Sequence, residues 1–137
     1  MPSPPPRKVA AWSLPVLGML MTVGAIAEHL KEEQDRRTRA ELITEGNVDR
    51  GRHAFTAYGC GGCHSLTGVP AARGLVGPTL DGIGSRVMLG GRLENTPQNL
   101  MRWVADPQGV SPGTAMPNLG LTPRDQRDIA AFLYDRS

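Results

Sequence analysis

Apolar and polar positions divide the chain into four stretches of different character. Residues 1–8 hold four prolines followed by Arg7 and Lys8, and no folded element is expected there. Residues 9–27 (VAAWSLPVLGMLMTVGAIA) are 19 positions without a charge. At a rise of about 1.5 Å per residue, such a helix reaches across a hydrocarbon core of about 30 Å. Pro15, Gly18 and Gly24 weaken it without forbidding it. Residues 28–46 carry six acids and four bases. That stretch predicts a solvated helix laced with short-range ion pairs, a linking stalk with His29 as one of its exposed residues.

From Asn47 to the end the pattern is that of a folded domain. Asn47 caps a helix predicted to reach about Tyr58, with Val48, Gly51, Phe55 and Tyr58 along one face and Gly59 ending it. Residues 60–95 hold nine glycines and sustain neither helical nor strand periodicity. A structureless run of that length implies that something besides side chains organises the middle of the domain. Thr96-Pro97 starts a helix through Leu100, Trp103 and Val104, and Asp106-Pro107 stops it. After a loop over 108–121, Thr122-Pro123 starts the last helix, whose Ile129, Phe132 and Leu133 recur at i, i+3 and i+4. The prediction is an all-α domain of three helices and glycine-rich loops, with no β-sheet.

Composition sharpens this picture. A chain of 137 residues makes one domain of ordinary size. Aromatics are only 4%, while Gly and Pro number 17 and 12, so side chains alone give a thin core. Fifteen basic against 13 acidic residues leave a net charge of +2 and no footprint for nucleic-acid binding. The cations ahead of the apolar stretch keep the N-terminus cytoplasmic, so everything after Glu28 is expected outside. Either the stretch is an uncleaved signal anchor, or it is a cleavable signal peptide ending at Ala25-Ile26-Ala27. Its length favours the anchor. The domain is then expected to face the periplasm, or the outer side, from the cytoplasmic membrane, and to be soluble and periplasmic if cleaved.

The chemistry lies in Cys60-Gly61-Gly62-Cys63-His64, which contains the chain's two cysteines. Two thiols one helical turn apart can add across the two vinyl groups of one porphyrin, and the adjacent imidazole can reach the iron. This is the attachment signature of a covalent c-type haem. A thioredoxin-like dithiol expects a βαβ surround, which is missing. A structural zinc site wants four ligands, and only His29 and His53 remain as further imidazoles. A disulfide across two residues would staple almost nothing.

An electron-transferring iron needs a sixth ligand. Met1, Met19 and Met21 lie in or before the apolar stretch. Met101 reads as core packing within a helix, and Met88 as an apolar residue of the glycine-rich loop. Met116 sits in Pro112-Gly113-Thr114-Ala115-Met116-Pro117, where flanking prolines can present a thioether rigidly. His64 and Met116 are therefore the expected iron ligands.

These residues resemble a class I, mitochondrial-type cytochrome c over about 47–136. In that family a glycine and an aromatic of the first helix cross the last helix, and Gly51 and Phe55 match them, opposite Ile129 and Phe132. The resemblance implies an all-α fold wrapped around one haem. It implies that the carbonyl of Pro78, in Gly77-Pro78-Thr79-Leu80, accepts the proximal imidazole N–H, that Trp103 lines the haem pocket, and that Arg86 binds a propionate. Gly84-Ser85-Arg86, Asn95-Thr96-Pro97 and residues 103–108 are also similar to the cytochrome domain fused to subunit II of some bacterial haem–copper oxidases. No copper-binding domain precedes them in this sequence, so the expectation is a free-standing or membrane-anchored relative. Its partners would be membrane-bound redox proteins, an oxidase or a quinol or dehydrogenase complex.

Mitochondrial-type proteins dock through lysines, but Lys8 and Lys31 are the only lysines here, and residues 47–137 hold nine arginines and seven acids. Docking is expected to lean on apolar contact around the haem edge, with weak salt dependence. A peroxidase-like enzyme would need an open iron and a nearby acid–base histidine. His53 reads as a surface residue, so a carrier and not an enzyme is expected. Nothing resembling a signalling domain supports a haem sensor.

Overall fold

The computed structural model describes residues 13–136. Five helices occur in it: α1 (Ser13–Thr44), α2 (Val48–Ala57), α3 (Pro97–Ala105), the single turn α4 (Pro107–Val110) and α5 (Pro123–Asp135). One hairpin pairs β1 (Met88–Leu89) with β2 (Leu93–Glu94) in antiparallel register, Met88 opposite Glu94 and Leu89 opposite Leu93. The expectation of no β-sheet is corrected by this hairpin. Two-residue strands are too short to leave a periodic signal in the sequence.

Contacts divide the molecule at Asp35. In the first unit the described part of α1 exposes every side chain from Pro15 onward, apolar and charged alike, with His29 Nε2 3.4 Å from Glu33 Oε1. Among the described residues no helix is long and apolar enough to cross a membrane. Residues 1–8 and 9–12, the proline-rich start and the first part of the expected span, lie outside the described residues.

The second unit begins at Arg36, not at Asn47. The expected solvated stalk is therefore corrected over its last turns. Ala40 and Thr44 are buried, and the Thr44 hydroxyl donates to Ala40 O at 2.7 Å. Glu41 Oε1 accepts from both Asn47 Nδ2 and Val48 N at 2.9 Å, and Arg37 pairs with Asp49. Glu45 in the left-handed region (φ 54°) ends α1. The charge run concealed this because a helix of mixed charges can still bury its few small residues.

Local side-chain chemistry sets the other helix starts. Asn47, Thr96 and Thr122 accept hydrogen bonds from Arg50 N, Asn99 N and Asp125 N, and proline follows the two threonines at the first helical position. The core lies where α2 crosses α5. A Cβ on Gly51 would sit 1.8 Å from Asp128 O and 2.8 Å from Phe132 Cβ, so only glycine lets the two backbones approach this closely. Phe55 and Phe132 meet edge to face at 5.6 Å. The buried Asp128 carboxylate accepts from Asn47 N at 2.7 Å and from Arg50 Nε and Nη2 at 2.7 and 2.9 Å, so its burial leaves no unpaired charge.

Candidate functional site

Gly59, left-handed at φ 71°, ends α2 and turns the chain into a 3₁₀ turn at Cys60–Gly62. Cys63 N and His64 N both donate to Cys60 O, at 3.2 and 3.0 Å, so the two thiols and the imidazole leave one tight turn. Cys60 is half-buried, and burial pushes its thiol pKa up, while Cys63 is exposed.

The His64 ring is held from the side. Its Nδ1 lies 2.8 Å from Pro78 O. A carbonyl oxygen can only accept, so the proton resides on Nδ1 and Nε2 is the nitrogen left for a metal. Gly77 abuts the same ring: a Cβ there would come within 2.3 Å of Cε1. The loop carrying Gly77 and Pro78 is pinned by Leu80 N donating to Ser65 O at 2.8 Å. It is pinned again by the Asp81 carboxylate, which accepts from Thr67 N (2.8 Å), Thr67 Oγ1 (3.1 Å) and Thr79 Oγ1 (3.0 Å). Those bonds, the Thr67 amide first, hold Asp81 below the usual carboxylate range.

Arg86 Nη2 donates to Thr79 O at 2.5 Å and Asp81 O at 3.2 Å. Its own carbonyl accepts from Asn95 Nδ2 at 2.8 Å, and Tyr134 OH donates to Asn95 Oδ1 at 2.9 Å, tying this segment to α5. Trp103, on α3, packs against the hairpin turn at Gly90. Met116 stands in the loop between α4 and α5, where Gln108 Nε2 donates to Thr114 O and Met116 O at 2.7 and 2.8 Å.

All seven residues expected to form the site line one cavity of about 380 Å³: Cys60, Cys63, His64, Pro78, Arg86, Trp103 and Met116. Its remaining wall is largely apolar, from Phe55, Leu100, Val104, Ile129 and Leu133. Met88, 44% exposed, and Met101, packed on the core, do not line it. A smaller cavity of about 290 Å³, lined by Arg36, Thr67, Asp81 and Arg136 among others, contains none of the seven. The roles of Asp81, Asn95 and Gln108 were not legible in the sequence, because a lone polar residue gives no sign of the distant group it meets.

Among the described residues no group of three or more His, Cys, Asp or Glu side chains could hold a bare metal ion. An imidazole and a thioether on one apolar cavity, beside two cysteines on one turn, instead fit a metal carried in a macrocycle that supplies its other ligands.

The chain matches the cytochrome c family over residues 48–136. It is 34% identical over 94 residues to cytochrome c oxidase subunit 2 of Alkalihalophilus pseudofirmus, a match covering 68% of this chain and 27% of that protein. It is 32% identical over 84 residues to cytochrome c oxidase subunit 2 of Bacillus sp. (strain PS3), covering 59% and 23% respectively. The chain thus spans about a quarter of the length of these relatives. No solved structure gives a significant match. The protein belongs to the cytochrome c family, a class of haem-binding electron carriers, and its cytochrome domain is related to that of oxidase subunit 2.

Proposed function

We propose that this cytochrome is a one-electron carrier of a respiratory or related chain, holding a single haem through thioether bonds from Cys60 and Cys63, with His64 and Met116 as axial ligands. The observation that carries the reading is the shared cavity, whose wall includes the attachment motif and, of the methionines considered in the domain, only Met116. The bound haem would supply reversible ferric–ferrous cycling. The protein's part is to hold and tune it. The Nδ1–H of His64, given to Pro78 O, orients the ring and makes Nε2 a stronger donor. The Met116 thioether is soft and neutral, so as a ligand it would favour ferrous iron and raise the reduction potential relative to two imidazoles. Arg86 offers a cation for a propionate. With His64 and Met116 both retained as ligands, a bound haem would have no coordination position free for a substrate, which suits a carrier and not a catalyst.

The relatives' name supports a haem–copper oxidase as electron acceptor, or a fixed place in such a membrane complex. The exposed apolar side chains of α1, with the uncharged residues before it, support anchoring at the cytoplasmic membrane with the haem domain on the periplasmic or outer side; cleavage after Ala27 would release it there. Exposed Leu75 and Val76 next to the cavity support docking by apolar contact.

Met116→Ala tests the ligation. Haem stays attached, the weak red-edge band of the ferric protein disappears, carbon monoxide binds the ferrous iron rapidly, and the potential falls. An unchanged potential and spectrum would place the sixth ligand elsewhere. Electron-transfer rates to an oxidase that collapse between low and moderate salt would defeat the apolar docking.

A further inference from the structure

We infer that Gln108 is the positioning residue that keeps the Met116 sulfur on the iron, an inference that rests on Met116 being an axial ligand. Its primary amide spans the methionine loop. Both Nε2 hydrogens are used, one on Thr114 O at 2.7 Å and one on Met116 O at 2.8 Å, while Oε1 accepts from Gly113 N at 3.2 Å. Two carbonyls on one side and an N–H on the other leave a single orientation of the amide that satisfies all three.

The rest of the loop gives Met116 little support. Thr114 N donates to Ser111 O at 3.0 Å, and among the described residues no backbone–backbone hydrogen bond holds 115–121. The Met116 amide has only a long contact, 3.4 Å, to Thr114 Oγ1. Gln108 itself is braced at its base. Asp106 Oδ1 accepts from Gly109 N at 2.9 Å and from Asn118 Nδ2 at 2.8 Å, and Asn118 Oδ1 accepts from Gln108 N at 3.2 Å. The brace thus runs from the end of α3 through Gln108 to the carbonyl of the ligand residue. A thioether is a weak ligand, so its occupancy of the iron depends on how narrowly the loop confines it. Glutamate has nearly the same shape but cannot replace the amide, because its carboxylate would face two carbonyl oxygens.

The test is the rate at which imidazole binds the ferric, full-length, haem-loaded protein, since an entering ligand waits for the sulfur to leave and its rate follows the open fraction. Gln108→Ala should speed binding about 25-fold, the two hydrogen bonds it gives to Thr114 O and Met116 O each holding roughly a fivefold bias. Gln108→Glu keeps the contact to Gly113 N and most of the side-chain volume. It should bind imidazole at least as fast at neutral pH and slow toward wild type on acidification, when the protonated acid regains one donor. It also stands in if the alanine variant fails to mature. Thr44→Val removes a hydrogen bond to a backbone carbonyl, Ala40 O, away from the cavity and reports general loosening; its rate should match wild type. Wild-type rates in both Gln108 variants, or an equal acceleration in Thr44→Val, would overturn the inference. Met116→Ala separates the two levels: if it too binds imidazole at the wild-type rate, the ligand assignment itself has failed; if it is fast and the Gln108 variants are slow, only the role of Gln108 has.

Discussion

Gly77 and His64 fit together so closely that a single methyl on the glycine would lie 2.3 Å from the imidazole Cε1. The ring cannot retreat freely, because its Nδ1 is bonded to Pro78 O on the same loop. Gly77→Ala therefore has to push either the loop or the imidazole out of place. We expect a loss of about 1 kcal/mol or more from the broken Nδ1 hydrogen bond, with a lower yield of haem-loaded protein. Haem absorbance per protein and guanidinium unfolding measure both. Wild-type loading and midpoint would show that the loop yields without cost.

The crossing of α2 and α5 makes a prediction about stability alone. Gly51→Ala puts a carbon into the space of the Asp128 carbonyl, 1.8 Å away, and both partners are helical backbone. Overpacking of this kind costs about 3 kcal/mol. The expected result is a large drop in the unfolding midpoint with an unaltered visible spectrum in the surviving native protein. A shift below about 0.5 kcal/mol, the range of ordinary surface changes, would mean that the helices slide apart easily.

Asp81 links acid sensitivity to the loop under His64. Its folded-state pKa is lowered, first by the Thr67 amide and then by the Thr79 hydroxyl. A depressed carboxylate pKa contributes stability above the unfolded value of about 4 and loses it as pH falls through the folded value. Asp81→Asn should accordingly be less stable than wild type at pH 7, with the gap closing below about pH 4. Thermal melts at the two pH values decide it. A gap that stays constant, or widens in acid, contradicts the assignment.

Cys60→Ala leaves at most one thioether. Half-burial of Cys60 beside the cavity also makes it part of the wall, so the variant should lose most haem-stained protein on a denaturing gel. Staining at the wild-type level would refute attachment through this residue.

The features legible in the amino-acid sequence are all local. Asn47, Thr96 and Thr122 act on amides three residues ahead, so their capping role is contained in a four-residue window. The glycine at position 59 ends α2 by its own left-handed backbone. The Cys60–His64 segment is one turn, and spacing alone brings its three side chains to one side. The hairpin at Met88–Glu94, the docking of the last turns of α1 and the brace at Gln108 left no such trace. Each depends on a partner that no short window contains.

The sequence by itself determined where α2, α3 and α5 begin, and it singled out Cys60–His64 as the segment expected to attach a haem in the glycine-rich middle. Only the tertiary structure decided that Asp128 meets Asn47 across 81 residues, that Pro78 O faces the imidazole 14 residues away, and that a glutamine amide stands behind the methionine loop. The reason is physical. Capping and turn geometry are solved within the reach of a few dihedral angles, whereas a buried carboxylate, an imidazole N–H and a loop carbonyl are satisfied by whichever distant group the packed chain delivers to them.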